Sequence, residues 1–199
     1  MTQHVQTMLP SLDGNFDPYQ PGMMLPAVHY RIVEELDRIA SEAGISPRDI
    51  TGHDYAMTDA ERVYLKGFRR ATQNNQLGLI YVGRHDPAVV ARCRSICGAL
   101  IRNFISAQLM PREVLVDALF GNSSKPHAAL VAVPDFHYAD APVATRRALA
   151  SWLLGRVSRG EQTVLGVPNP KVLKELCGDE TDAYLDRFSI VHGVAHNPA

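Results

Sequence analysis

Cysteine, tryptophan and long apolar runs are all scarce in this sequence of 199 residues. Its three cysteines, Cys93, Cys97 and Cys177, do not suggest the disulfide framework on which small secreted proteins depend. No apolar run has membrane-spanning length, and no secretory signal pattern is present. These absences predict a protein of the reducing cytoplasm that does not associate with a membrane.

The sequence also has no excess of charge of either sign. Twenty basic and 21 acidic residues give a net charge of −1. That balance argues against bulk attraction to nucleic acid or anionic lipid, although it leaves room for a local basic face. Apolar residues make up 46 % of the chain, which is enough to bury a sizeable core.

Composition divides the chain into three stretches. Residues 1–26 are rich in proline and glycine and show little periodicity, so we expect an extended or mobile arm there. Residues 27–74 predict a helical lead-in, with a first helix ending at Gly44 and a second at 59–72. Residues 75–199 predict an α/β domain.

In the α/β domain, short apolar segments alternate with amphipathic ones. Five strands are predicted, the second of them weak: 77–82, 105–110, 128–134, 162–168 and 189–192. Helices are predicted at 88–104, 112–120, 143–157, 170–176 and 181–185. The first of these helices has an apolar face with a period of 3.6 residues, formed by Val89, Cys93, Ile96, Cys97, Leu100, Ile101 and Phe104. The alternation is typical of a mainly parallel sheet covered by helices on both faces.

The turn after the first strand has the position of a phosphate-binding loop but a different sequence. Such a loop reads G-x-x-x-x-G-K-[ST], in which the lysine neutralises phosphate charge and the hydroxyl holds magnesium. From Gly83 this chain reads G-R-H-D-P-A-V-V, so Val89 stands in place of the lysine and Val90 in place of the Ser/Thr. The sequence therefore predicts the strand, turn and helix of a nucleotide site without the polar side chains that bind the nucleotide.

Asp86 and Pro87 in the same turn are a strong signal for the start of a helix. An aspartate at that position accepts the backbone N–H groups that a phosphate would otherwise bind. It also repels a phosphate, by about 1 kcal/mol per charge pair in water. Arg84 and His85 could attract a phosphate from the side, or they could be solvated charges of a surface turn.

Five stretches, taken in order, resemble bacterial helicase loaders of the DnaC type and the related IstB transposition helper, which are AAA+ ATPases. The resemblance covers about residues 35–193. The stretches are EAGISPRDITGHDYAMT, ATQNNQLGLIYVG, SSKPHAALVAVPDFH, RRALASWLLGRVSRGEQTVLGVPN and KVLKELCGDETDAYLDRFSIVHG. The resemblance implies a five-stranded parallel sheet of order 5-1-4-3-2, with an N-terminal helical extension.

The resemblance also assigns three further positions of the nucleotide site. Asp135 matches the second acid of the Walker B motif, while Pro134 replaces the first, which helps to hold magnesium. Asn169 matches the sensor asparagine, and Arg187 matches the arginine that acts on a neighbouring subunit. Asn169 could instead cap the next helix, and Arg187 could pair with a nearby aspartate. The segment PDFHYAD has no second cluster to complete a metal site, so no metal is expected.

These features predict a degenerate AAA+-like protein that neither binds ATP and magnesium nor hydrolyses ATP. We expect it to act by protein–protein recognition in DNA replication or transposition, as an adaptor or inhibitor of a replicative helicase or an AAA+ loader. One alternative is an atypical ATPase in which Arg84 replaces the lysine. Another is a module for single-stranded DNA, with a basic face built from Arg92, Arg94, Arg102, Arg69, Arg70, Arg146 and Arg147.

Overall fold

The computed structural model of the chain describes residues 19, 24, 25, 27–52, 57–83, 87–121, 126–138, 140–178 and 182–192. Its helices are α1 Tyr30–Glu34, α2 Leu36–Ala43, α3 Pro47–Thr51, α4 Asp59–Ala71, α5 Pro87–Arg102, α6 Arg112–Leu119, α7 Val143–Ser158, α8 Lys171–Cys177 and α9 Asp182–Leu185. Its strands are β1 Gly78–Val82, β2 Ala107–Leu109, β3 Leu130–Val133, β4 Gln162–Val167 and β5 Phe188–His192.

The five strands form one parallel sheet in the order β2-β3-β4-β1-β5. Read from the other edge, this is the predicted order 5-1-4-3-2. All five predicted strands are present, including the weak one near residue 107. The fold class predicted from the sequence is therefore confirmed.

Side chains that alternate along each strand separate the core into two layers. In β1, Leu79 and Tyr81 pack against α1–α5, whereas Ile80 faces the opposite layer with α6–α9. In β3, Leu130 and Val131 divide in the same way. Because both faces of the sheet are covered, the sequences of β1 and β3 are continuous apolar runs, as expected for parallel sheets.

Helix α5 is the most deeply buried helix in the described part of the chain, with Val89, Cys93, Ile96, Cys97, Leu100 and Ile101 all in the core. Burial raises the pKa of both thiols, so they are inert core side chains. Gly98 lets α3 cross at close range, since a Cβ there would lie 1.9 Å from the Asp49 carbonyl oxygen. The prediction for Phe104 was wrong, because α5 ends at Arg102 and Phe104, at φ 58°, is 61 % exposed.

Two of the arginines assigned to a basic face lie in the interior instead. Arg92 is 8 % exposed and Arg102 is 2 % exposed. The Arg102 guanidinium donates to the carbonyl oxygens of Asp49 and Ile50, at 3.3 and 2.7 Å. Burial lowers the pKa of Arg102 to about 10, which still leaves it charged at neutral pH. The face that the sequence predicted on α5 is therefore not formed.

The segment between Gly44 and α4, for which the sequence analysis predicts no helix, contains α3. Ser46 begins α3 with a capping box, in which its hydroxyl accepts from Asp49 N and the Asp49 carboxylate accepts from Ser46 N at 2.8 Å. Most of the predicted arm, 1–26, lies outside the described residues, but Tyr19 and Met24 pack against the α1–α5 layer. Among the described helices, none is long and apolar enough to cross a membrane.

Candidate functional site

Three of the predicted site residues meet at the carboxyl edge of the sheet. Gly83 follows β1, Asp135 follows β3 and Asn169 follows β4, and all three line a cleft of about 570 Å³. In open parallel sheets, ligands bind in crevices at this edge. Arg84, His85 and Asp86, which complete the predicted turn, lie outside the described residues.

The base of the cleft is closed by backbone hydrogen bonds and one glycine. Gly83 N donates to Val167 O at 2.9 Å, and Phe136 N donates to Gly166 O at 2.7 Å. A Cβ at Gly166 would lie 1.9 Å from Pro134 O and 2.9 Å from Val89 Cγ1. Only glycine fits this close approach. The sequence analysis missed Gly166, although a glycine inside an apolar strand is a signal for such a contact.

Val89 is a core side chain, as predicted. It lies in the first turn of α5, is 1 % exposed and packs in the layer beneath the cleft. Val90, one residue later, is half-buried. Because α5 begins at Pro87, the position that corresponds to the phosphate-loop lysine is directed into the core instead of the turn.

The charged side chains that line the described part of the cleft are carboxylates. Asp135 and Glu175 contribute negative charge, and no lysine or arginine is among the described lining residues. Burial raises the pKa of Tyr138 to about 12, and the nearby Glu175 carboxylate adds to the shift. Tyr138 is therefore a neutral phenol at physiological pH. This part of the cleft repels anions, whereas a site for a triphosphate requires cations.

His137 is held in place by an arginine from the preceding helix, α6. Arg112 Nη1 donates to the His137 carbonyl oxygen at 2.6 Å and lies 3.1 Å from its Nδ1. Since a guanidinium can only donate, Nδ1 accepts and the ring proton is assigned to Nε2. This contact fixes the segment after β3 to the start of α6. Among the described residues, no group of three or more histidine, cysteine or acidic side chains is placed to hold a metal ion.

Asn169 lines the cleft and also caps the helix that follows it. Its Oδ1 accepts from Lys171 N at 3.0 Å, at the start of α8. This hydrogen bond is the capping role weighed from the sequence. The carboxamide oxygen is occupied in this geometry, while the residue as a whole remains exposed at the cleft.

Arg187 lies at the amino ends of the strands, whereas the cleft lies at their carboxyl ends. It directly precedes β5, whose first residue, Phe188, pairs with Gly78 at the start of β1. The five residues of β1 place about 17 Å between this edge and Gly83. Arg187 Nε donates to Asn75 O at 3.1 Å. Arg187 therefore cannot complete the cleft of its own chain, and any role at such a cleft would be exerted on another molecule.

A buried charged network in the α1–α5 layer was not predicted. The Glu61 carboxylate, fully buried on α4, accepts from Arg92 Nη1 at 2.8 and 2.9 Å and from the Tyr81 hydroxyl. Glu61 also forms a capping box with Thr58. The network joins α4 to β1 and α5, the two elements that flank the turn at Gly83. It fixes the position of α5 with polar as well as apolar contacts.

Comparison with known proteins places the fold but not the family. No family model matches the sequence, and no curated protein matches it. Among solved structures, AMPPCP-bound DnaA from Aquifex aeolicus matches with a TM-score of 0.50 and 9 % identity. The match covers 69 % of this chain and 48 % of the DnaA chain, so the likeness spans about half of that protein. The parallel sheet and its covering helices therefore resemble the AAA+ domain of DnaA.

Proposed function

We propose that this chain is a catalytically inactive AAA+-like protein that works by protein–protein recognition. Its partner would be a replicative helicase or an AAA+ loader in DNA replication or transposition, on which it acts as an adaptor or inhibitor. Loaders of the DnaC and IstB type are the family that its sequence pattern resembles. The fold that it shares with DnaA, which was solved with an ATP analogue bound, supports the AAA+ part of the proposal.

The observation that carries the proposal is the burial of Val89. At the position of the phosphate-binding lysine stands a side chain that is 1 % exposed and packed near Gly166. The carboxylates of Asp135 and Glu175 add a second obstacle to a triphosphate, since like charges repel. Pro134 stands where the first Walker B acid would hold magnesium. The site therefore lacks the lysine, the hydroxyl and one of the two acids that the binding and hydrolysis of ATP require.

Arg187 supports a role beside another ATPase subunit. Its position about 17 Å from its own cleft suits a side chain that acts on a neighbouring molecule. Arginine is well adapted to such contacts, because its planar guanidinium binds phosphates through two hydrogen bonds. A chain that retains this arginine without a working nucleotide site can dock beside a competent subunit and alter its activity.

The two alternatives receive less support. In the atypical ATPase, Arg84 would replace the lysine, but Val90 stands where a Ser/Thr hydroxyl would hold magnesium. For the single-stranded DNA module, Arg92 and Arg102 cannot form part of the predicted basic face, because both are buried.

Two assays on the full chain test the proposal. Phosphate release from ATP and magnesium should not exceed the buffer rate, and the immobilised chain should capture an AAA+ ATPase or a helicase from an extract of its native host. Arg187→Ala should weaken that capture, whereas Arg147→Ala, an equal charge change on the exposed face of α7, should not. ATP turnover that is abolished by Asp135→Ala would establish the ATPase alternative instead.

A further inference from the structure

The last strand of the sheet has an open side. In the described sheet, β5 pairs with β1 and forms one border, while β2 forms the other. Arg187 O accepts from Leu77 N at 2.8 Å, so the backbone groups of alternate residues from position 187 onward point towards β1. The N–H and C=O groups of Phe188, Ile190 and His192 therefore point away from the sheet. No described residue forms a hydrogen bond with these outward groups.

The opposite border of the sheet is protected, whereas β5 is not. Strand β2 has three residues, and the turn at Gly44 lies so close to it that a Cβ there would be 2.4 Å from Leu109 O. Gln108 Nε2 also donates to Glu42 O at 3.3 Å. All five residues of β5 pair with β1 in unbroken register, and none is a proline, a lysine or an acid. Because proteins use those residues and bulges to block edge pairing, β5 is suited to pair with a further strand.

The side chains of β5 indicate which strand it pairs with. Ile190, at the centre of β5, is 41 % exposed and is the only exposed large apolar side chain in the described strands. It lies in register with Ile80, so it belongs to the α6–α9 face of the sheet. Because β5 contains no lysine, arginine or acid, a symmetry axis through it brings no such like charges together. The open side of β5 is therefore complementary to a second copy of itself.

We propose that two copies of this chain pair antiparallel through β5 and join their sheets into one continuous sheet. With the twofold axis at Ile190, this residue faces Ile190 of the second copy, and Phe188 faces His192 of the second copy. These outward residues exchange about six backbone hydrogen bonds. Residues that face each other lie on the same side of a sheet, so the two Ile190 side chains cover each other. The contact is isologous and closes at two copies.

The dimer leaves the cleft of each copy open. The described residues that line the cleft belong to the segments that follow β1, β3 and β4 and to α8, and none of them lies in β5. Pairing through β5 therefore does not depend on whether the cleft binds a nucleotide or on the identity of a partner protein.

Light scattering after size-exclusion chromatography tests the proposal on the full chain, from micromolar to millimolar concentration. The parent should have twice the mass of one chain, which is 21.9 kDa. Ile190→Lys places two ammonium groups opposite each other, so it should raise the dissociation constant of the dimer by at least about tenfold. The matched control, Val63→Lys, makes the same change at a side chain of α4 that is 71 % exposed. The control should leave the dissociation constant unchanged.

Ile190→Pro tests the backbone pairing itself. Because the N–H group of Ile190 points outward, proline at this position removes no hydrogen bond to β1, and proline is tolerated at such positions of edge strands. The variant should retain the circular dichroism spectrum of the parent and be monomeric.

Disulfide formation tests the register of the two strands in a Cys177→Ser background. In the proposed dimer, the two Cα atoms of position 190 are about 5.5 Å apart, which lies within the range of a disulfide. The two Cα atoms of position 189 are diagonal neighbours about 7–8 Å apart, which is too far. Mild oxidation should therefore cross-link Ile190→Cys and leave the control, Ser189→Cys, as separate chains.

Three results would overturn the proposal whether or not the proline variant folds. The first is a parent that stays monomeric at millimolar concentration. The second is an Ile190→Lys protein that dimerises as tightly as the parent, or a Val63→Lys protein that dissociates as readily as Ile190→Lys. The third is equal cross-linking of the two cysteine variants, because it would place the contact outside the proposed register.

Discussion

Substituting lysine for Val89 restores the residue that a phosphate-binding loop requires, at a position that the structure fills with a core side chain. Val89 is 1 % exposed and packs near Gly166 Cα and the end of β4. An ammonium group there would lose its hydration without gaining a partner. We therefore expect Val89→Lys to destabilise the fold and to give no ATP binding.

The expected magnitude follows from the pKa of the introduced amine. Burial lowers the pKa of a lysine by about 3–5 units from its usual value of about 10.4. At about 1.4 kcal/mol per unit, keeping the amine neutral at pH 7 costs about 4–5 kcal/mol of unfolding free energy. The unfolded chain binds more protons than the folded variant, so stability must rise with pH. The deficit should shrink by about 1.4 kcal/mol per pH unit between pH 8 and 10.

Urea denaturation of the parent, Val89→Lys and Val90→Lys from pH 7 to pH 10 measures this effect. Val90 is half-buried on the next helical position, so its lysine can reach solvent and its deficit should be small and independent of pH. Equal deficits in the two variants would show that position 89 is not sealed in the core. A Val89→Lys protein as stable as the parent that binds ATP would refute the closed-site interpretation entirely.

Three further predictions, each with its own variants, test the surroundings of the site. Arg92→Ala should cost about 3–5 kcal/mol in urea denaturation because it strands the buried Glu61 charge, and the double substitution Glu61→Gln with Arg92→Met should recover much of that loss. Gly166→Ala should cost about 1–3 kcal/mol by thermal melting, while Gly83→Ala, whose Cβ meets no described atom within 4 Å, should be nearly neutral. The pKa of Tyr138 is raised to about 12 in the folded state, so its contribution to stability is full below pH 10 and is lost between pH 10 and 12. Tyr138→Phe should therefore lose less stability than the parent between pH 10 and 12.

The features that the sequence predicted well are those set by local periodicity. The apolar run that becomes β1 and the 3.6-residue pattern of α5 were both recognisable. A strand buried on both faces is a continuous apolar run, and a helix buried on one face repeats its apolar residues every 3.6 positions. The N-terminal end of α5 was also predictable, since proline at position 87 is favoured in the first helical turn. Strand order came from the family resemblance and not from periodicity.

The features that the sequence did not predict depend on distant partners. Arg92 and Arg102 look like surface residues in the sequence, but in the fold Arg92 pairs with the buried Glu61 and Arg102 donates to carbonyl oxygens of α3.

Calorimetric titration of the full chain with ATP and magnesium at millimolar concentration is the most direct test of the central claim. A site without its lysine and magnesium ligand, lined by carboxylates in its described part, should give no saturable heat. The same titration of a competent AAA+ ATPase verifies the reagents. A saturable isotherm with a dissociation constant in the low micromolar range would contradict the account, because it would show that the cleft beside Val89 still binds the nucleotide.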